Sequence, residues 1–286
     1  MTDNLRGICL MVLAMAGFAV ADSCIKLASQ AMPIGQVLVS FGAGGTLVFV
    51  LIARAKGLRL WTAQALQRAV LMRNTGEVIG TCGVVMALSL LPLSLTSAIL
   101  QVNPIAVTFA VATVLREPVG WRRWSAIMVG FAGVMVIIRP GAAAFDPAVL
   151  WAVLGVIGLT LRDVATRAVP RSTENLKLAT WGFASLIPLG MAMLAITGGT
   201  VEPDLRAQML LIGAVLSGTT AYWAITAAMR VGDVGVVTPF RYTRLIFAMG
   251  IGIVVFAERP DGWTYAGSAL VVASGIYTLW REGRRA

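Results

Sequence analysis

Asp22 and Lys26, Glu77, Asp163 and Arg167, and Arg241 and Arg244 are ionisable residues set inside long apolar stretches of this chain. Charge in hydrocarbon is expensive, so each must be paired, reach water or serve a function. Asp22 and Lys26 stand four apart, on one face of a helix, where acid and base can pair across a turn. Asp163 and Arg167 repeat the spacing. Two readings stay open for these pairs: gates at the two ends of a pathway, or cations that snorkel to headgroups while neutralising a neighbouring acid. Glu77 sits about 10 Å into its stretch, counting ~1.5 Å per helical residue from Leu71. Arg241 and Arg244 lie at similar depth just past Thr238-Pro239, where proline removes a backbone donor. The expectation is that Glu77 pairs with one of them and the other presents its fork to a substrate carboxylate. Snorkelling to the inner leaflet is the competing reading. Gln101 and Asn103-Pro104 put polar groups beside a mid-span proline, where freed carbonyls can line a cavity. Tyr222 and Trp223 offer rings for stacking on a substrate, or for plain packing.

These residue types exclude much chemistry. The chain has no histidine, hence no ordinary catalytic triad and no imidazole metal ligand. Cys9, Cys24 and Cys82 follow no zinc or disulfide spacing and read as small packing residues. The acids are far apart or already beside a cation, so no nucleophile and base share one depth, and an enzyme is not expected. No metal or cofactor is implied. The Gly-rich stretches lack a Gly-Lys-Ser/Thr run, which excludes a nucleotide loop.

The elements that position these residues follow from composition. Of 286 residues, 58% are apolar and 13% charged, and the mean hydropathy is +0.84, so most of the chain is solvated by lipid. The net charge of +10 forms no basic face, which argues against nucleic acid. Continuously apolar runs long enough to span the bilayer as helices cover approximately 6–30, 34–54, 69–91, 94–115, 122–139, 148–168, 176–197, 206–229, 235–256 and 263–281. Trp61, Trp121, Trp124, Trp151, Trp263 and Trp280 lie near span ends and read as interfacial anchors. Gly76, Gly80 and Gly83 form a small-residue stripe suited to close helix packing. With the amino terminus inside, seventeen Lys and Arg residues fall on the cytoplasmic side and three outside, which places both termini in the cytoplasm.

An internal repeat organises the spans. Gly17, Asp22 and Lys26 return 141 residues later as Gly158, Asp163 and Arg167, and Glu117 returns as Glu258. After one inserted residue, Gly120-Trp121, Gly133, Arg139 and Gly141 return as Gly262-Trp263, Gly275, Arg281 and Gly283. The 141 shift also sets Gln101 opposite Tyr242 and Asn103 opposite Arg244. Each half, 1–141 and 142–286, therefore carries five helices, and because five is odd the second half is inverted. The fold class expected is an all-α integral membrane protein of ten transmembrane helices in two inverted repeats around a central cavity.

Ten helices, inverted halves, short loops and the turns Arg-Glu-Pro-Val-Gly-Trp at 116–121 and Glu-Arg-Pro-Asp-Gly-Trp at 258–263 resemble the drug/metabolite transporter superfamily, in particular its EamA-type branch. Within that branch the chain is similar to bacterial amino-acid exporters, including those for aromatic amino acids. The resemblance implies that helices 1, 3, 4, 6, 8 and 9 surround the cavity, with 2, 5, 7 and 10 peripheral, and that transport needs no ATP. The function expected is a secondary transporter or exporter of small metabolites, amino acids first, working by alternating access in the bacterial inner membrane. Uptake of a vitamin or nucleoside-like compound is the alternative. A passive pore or scaffold would leave the inverted repeat without a purpose. Glu77 is the candidate proton carrier. Ten helices suffice to enclose a cavity, which is compatible with a monomer.

Overall fold

The computed structural model describes residues 3–114, 121–139, 145–170, 172–231 and 234–283. The turn preceding Trp121, with Glu117 and Gly120, lies outside the described residues, as does Gly141. The helices are α1 (Asp3–Ala31), α2 (Ile34–Ala55), α3 (Arg68–Leu90), α4 (Leu93–Leu100), α5 (Asn103–Val114), α6 (Trp121–Ile138), α7 (Val149–Ala168), α8 (Asn175–Thr197), α9 (Leu205–Val231), α10 (Val234–Val237), α11 (Thr243–Phe256) and α12 (Gly262–Gly283). Because two of the expected spans are interrupted in mid-course, the described helices fall at the ten expected positions; seven are long and apolar enough to cross a membrane, and Trp124–Ile138 is a shorter apolar helix. The fourth breaks between α4 and α5, just before Pro104. The ninth passes from α10 through a 3-10 turn, Thr238–Tyr242, into α11. Proline is the local cause in both, since it has no N–H for the helical ladder.

The principal packing partners lie in opposite halves: α1 with α9, α3 with α7, α2 with α8 and α6 with α12. Lipid supplies no hydrophobic drive between helices, so backbones must come close enough for dispersion. Glycine makes that possible. A Cβ on Gly76 would stand 2.4 Å from the Arg162 nitrogen, and one on Gly83 would stand 2.4 Å from the Gly155 nitrogen, so the stripe read from the sequence is the α3–α7 seam. Gly158 faces Gly80 on that seam, and Gly17 faces Ala221 on the α1–α9 seam. Since 17 and 158, and 80 and 221, are related by the 141 shift, these are one contact built twice.

Trp61, Trp121 and Trp263 are strongly exposed, as interfacial anchors must be, and Trp124 is partly so. Trp151 differs, packing against the core. At the head of α12, Asp261 accepts hydrogen bonds from the Thr264 N–H (2.8 Å) and hydroxyl (2.7 Å) and is tied to Arg139. The Thr264 hydroxyl above all holds its carboxyl below the usual range.

The two copies of the glycine contact differ in slack. A Cβ on Gly158 would meet the Gly80 nitrogen at 2.1 Å, whereas one on Gly17 would meet the Ala221 Cβ at 3.0 Å. Gly158→Ala is expected to cost about 1–3 kcal/mol through helix separation, and Gly17→Ala clearly less. Thermal unfolding of the two purified variants in detergent checks the order.

Candidate functional site

A cavity of about 380 Å³ lies where the two interrupted spans face each other. It is lined by α1, α3, the α4–α5 break, α7, α9 and the break before α11, and also by six residues of α8 and by Phe41 of α2. The peripheral role implied for helix 7 is thereby corrected. The α8 helix packs on α3 as well as on α2, so its Asn175, Gly182 and Phe183 reach the cavity. Arg73, Arg162, Arg241 and Arg244 supply four guanidinium groups, and Asp22, Glu77 and Asp163 supply three carboxylates.

The charges pair differently from the expectation. Asp22 does not bind Lys26. Its carboxylate accepts from the Arg244 guanidinium at 2.6 Å, across from α1 to α11, and its side chain is only 9% exposed. Lys26 instead donates to the carbonyl oxygens of Leu88 (3.0 Å) and Leu91 at the end of α3, with its ammonium 5.4 Å from the Phe256 ring centre. Unsatisfied carbonyls at a helix end attract a cation more strongly than a carboxylate held elsewhere. Asp163 likewise does not bind Arg167, which is exposed at the last turn of α7. Its partners are Arg162 at 2.8 Å and the Asn103 amide at 3.0 Å. Asn103 also accepts from the Thr160 hydroxyl at 3.1 Å.

Glu77 pairs with neither Arg241 nor Arg244. It lies between Arg73 (3.2 Å) and Arg162 (3.3 Å). Arg73 and Arg162 belong to the seventeen positive residues that the charge bias assigns to the cytoplasmic side, yet Arg73 is 3% exposed and both line the cavity. The missed signal was the spacing: Arg73 precedes Glu77 by one turn, and Arg162 adjoins Asp163. Arg241 lines the cavity, and among the described residues it has no carboxylate within ion-pair distance. Its nearest opposite charge, Asp163, is already engaged.

Gln101 donates its amide to the Tyr242 carbonyl at 3.1 Å. These two positions are repeat equivalents, so this contact sits on the pseudo-two-fold relating the halves. The Tyr242 ring is 4% exposed and packs on α12, where a Cβ on Gly275 would collide with its hydroxyl, so it offers the cavity its backbone and not its ring. Tyr222 lines the cavity within electrostatic reach of Arg73, Glu77 and Arg162. Trp223, next along α9, points the other way: it is 58% exposed on the lipid side and is not a cavity residue. Successive helical residues diverge by about 100°, and here that turn carries Trp223 away from the cavity that Tyr222 faces. Phe18, Phe41 and Phe183 complete an aromatic wall with Tyr222, Phe41 and Phe183 standing 5.2 Å apart.

A second cluster lies away from the cavity. Glu258 accepts from the backbone N–H of Leu93 and Ser94 and from the Ser94 hydroxyl (2.7 Å), and so caps α4. With Lys26 on the carbonyls of α3, the α3–α4 turn is held at both helix ends by the complementary charge.

An all-helical multi-pass chain with inverted halves interlocked around a polar cavity defines a membrane transporter. The EamA-like transporter family matches it twice, over residues 5–139 and 146–280, and the chain belongs to that family. It is similar to a riboflavin transporter of Vibrio cholerae serotype O1, 27% identical over 98% of this chain and 96% of that protein. It is also similar to the pseudopaline exporter CntI of Pseudomonas aeruginosa, at 24% over 94% of each. The S-adenosylmethionine uptake transporter of Rickettsia bellii is 22% identical over 68% of this chain and 66% of that one. A crystal structure shares the fold with a TM-score of 0.64 at 16% identity, covering 99% of this chain and 98% of that one.

Asp22 and Arg244 form a charge pair that lipid and protein largely enclose. Removing one partner leaves the other uncompensated, so Asp22→Asn or Arg244→Gln is expected to cost about 3 kcal/mol. The double substitution should recover more than half of the loss. A double-mutant cycle on the unfolding of the purified protein measures it.

Proposed function

We propose that this chain is a secondary transporter that carries a compact organic metabolite with a flat, apolar body across the bacterial cytoplasmic membrane by alternating access. The observation that carries the reading is the cavity itself: about 380 Å³ between the halves, lined by Phe18, Phe41, Phe183 and Tyr222 together with side-chain charges and the two helix breaks. Its volume is in the lower range for small-molecule sites. Residues Glu77, Gln101, Asn103, Tyr222, Arg241 and Arg244 are assigned to cargo binding or to holding the broken helices around it.

Excess Lys and Arg on one side supports cytoplasmic termini. With Arg73 and Arg162 reassigned to the cavity, the bias is fifteen against three. In that orientation the cavity's Thr166 and Asn175 lie at the cytoplasmic ends of α7 and α8, and the Lys26–Glu258 cluster seals the external side. Under exchange of the halves, α2 would take the place of α8 at the cavity wall.

Amino acids, aromatic ones included, are the first candidate cargo, moved outward. Uptake of a vitamin-like compound is the second reading, favoured by similarity to a riboflavin transporter along nearly the whole chain. Glu77, the candidate proton carrier, has both carboxylate oxygens engaged by arginines, which favours a place in the cavity wall over proton carriage.

Reconstituted protein should take up at least one labelled compound from a panel of L-tryptophan, L-phenylalanine, L-leucine and riboflavin with saturable kinetics and accelerate its exchange against unlabelled compound. An imposed pH gradient should leave the initial rate within about two-fold, since Glu77 is tied into the wall by Arg73 and Arg162. Folded protein that moves none of the panel would count against this reading.

A further inference from the structure

The charge count inside the cavity goes further than the transport reading on which it rests. Asp22 is taken by Arg244, Glu77 by Arg73 and Arg162, and Asp163 by Arg162 and Asn103. Among the described residues, every carboxylate of the cavity already has a cationic partner. One guanidinium, that of Arg241, remains without an ion-pair partner among the described residues, and it lines the same space as Phe18, Phe41, Phe183 and Tyr222. An unpaired cation at this depth is costly, and a guanidinium pairs with an oxyanion through two parallel hydrogen bonds. The polypeptide leads into the site in the same sense. Arg241 lies on the 3-10 turn that ends where α11 begins, so the amide end of a 14-residue helix adds positive potential beside it.

We infer that, among compounds with an aromatic or flat apolar body, the cavity prefers an organic monoanion, whose acidic group docks on Arg241, over a zwitterion or a cation of the same body. A zwitterionic amino acid would satisfy Arg241 with its carboxylate but leave its ammonium facing engaged acids, or force one of the existing pairs to open. A cation would meet the excess positive charge directly. Arg241 is therefore the residue that sets cargo charge, whereas Arg73, Arg162 and Arg244 hold the walls.

Four indoles of similar body and different charge test this on the full chain in detergent: indole-3-acetate (anion), indole-3-acetamide (neutral), L-tryptophan (zwitterion) and tryptamine (cation). Thermal stabilisation titrations should give indole-3-acetate a half-saturation about ten-fold below the other three, the scale of one hydrogen-bonded charge in a dry site. R241Q should remove that preference, so that indole-3-acetate no longer half-saturates below indole-3-acetamide, and R241K should keep part of it. Preference for the amide, the zwitterion or tryptamine in the wild-type protein, no response to any indole, or an anion preference that survives in R241Q would each overturn the assignment. The wild-type ranking decides even if R241Q does not fold. Uptake of riboflavin, neutral at pH 7, by the same preparation separates the two failures. Riboflavin uptake without anion preference leaves the transport reading standing and removes this one, and movement of neither the indoles nor any of the earlier panel removes both.

Discussion

A carboxylate in the membrane interior has to find a cation or a hydrogen-bond donor, and in this chain the two repeat-related aspartates find theirs in the opposite half. Asp22 on α1 holds Arg244 at the start of α11, and Asp163 on α7 holds Asn103 at the start of α5. Asn103 and Arg244 are repeat equivalents as well, so the two contacts are one contact made twice. Each aspartate thereby secures the interrupted helix of the other half, at the place where proline has already weakened the backbone ladder. Such pairs add little net stability, because desolvation offsets attraction, but losing one partner is severe. Their effect is to specify which helix faces which.

The copies are not identical, and the difference explains where the cavity opens. Around Asp163 stand Arg162, Glu77 and Arg73; at the corresponding positions around Asp22 stand Ala21, Gly218 and Ala214. The α3–α7 seam is therefore charged where the α1–α9 seam is apolar. Ala21 and Ala214 are buried accordingly, with Cys24 and Phe41 near Gly213 and Gly218. Charged walls hold water and remain apart, and apolar walls close. An inverted repeat with symmetric geometry and asymmetric chemistry thus acquires a preferred state from side chains alone.

What could be read from the sequence divides along the same physical lines. The spans, the repeat and the glycine seam depend on periodic or composition signals that act over many residues, and the structure reproduces them within a few positions. Even the helix breaks were foreshadowed, by Pro104 and Pro239. Partner choice depended on geometry between distant helices. The pairing of Asp22 with Lys26 assumed that the nearest opposite charge on one helix wins. It does so on a solvated surface, but Lys26 had open carbonyls of α3 within reach and Asp22 had Arg244. Arg73 and Arg162 were misplaced because counting positive residues near span ends cannot tell a headgroup anchor from a cavity wall. Trp223 was misplaced because nothing in its local sequence says which side of α9 faces lipid. Type and depth in the sequence mark Asp22, Glu77, Asp163, Arg241 and Arg244, which all line the cavity, but do not give their partners.

The seams restrict how such a molecule can move. At Gly158 and Gly80, and at Gly83 and Gly155, backbones are in contact with no side chain between them, so α3 and α7 cannot slide past one another without leaving a void or a clash. The α1–α9 pair is similar at Gly17 and Ala221, with slightly more room. Motion that preserves these contacts leaves the cross-half pairs as units and falls between them. There the connections are the two broken spans, which meet on the pseudo-two-fold through the hydrogen bond from Gln101 to the Tyr242 carbonyl. Backbone hydrogen bonding is already interrupted there, so reorientation costs least where the cargo would sit. The side chains that hold the breaks in place, Asp22 with Arg244 and Asp163 with Asn103, are also those that a charged cargo entering beside Arg241 would perturb first. Arg241 stands within electrostatic reach of Asp163, Arg162 and Arg244, the groups around the two breaks, so charge placed beside it would act on both.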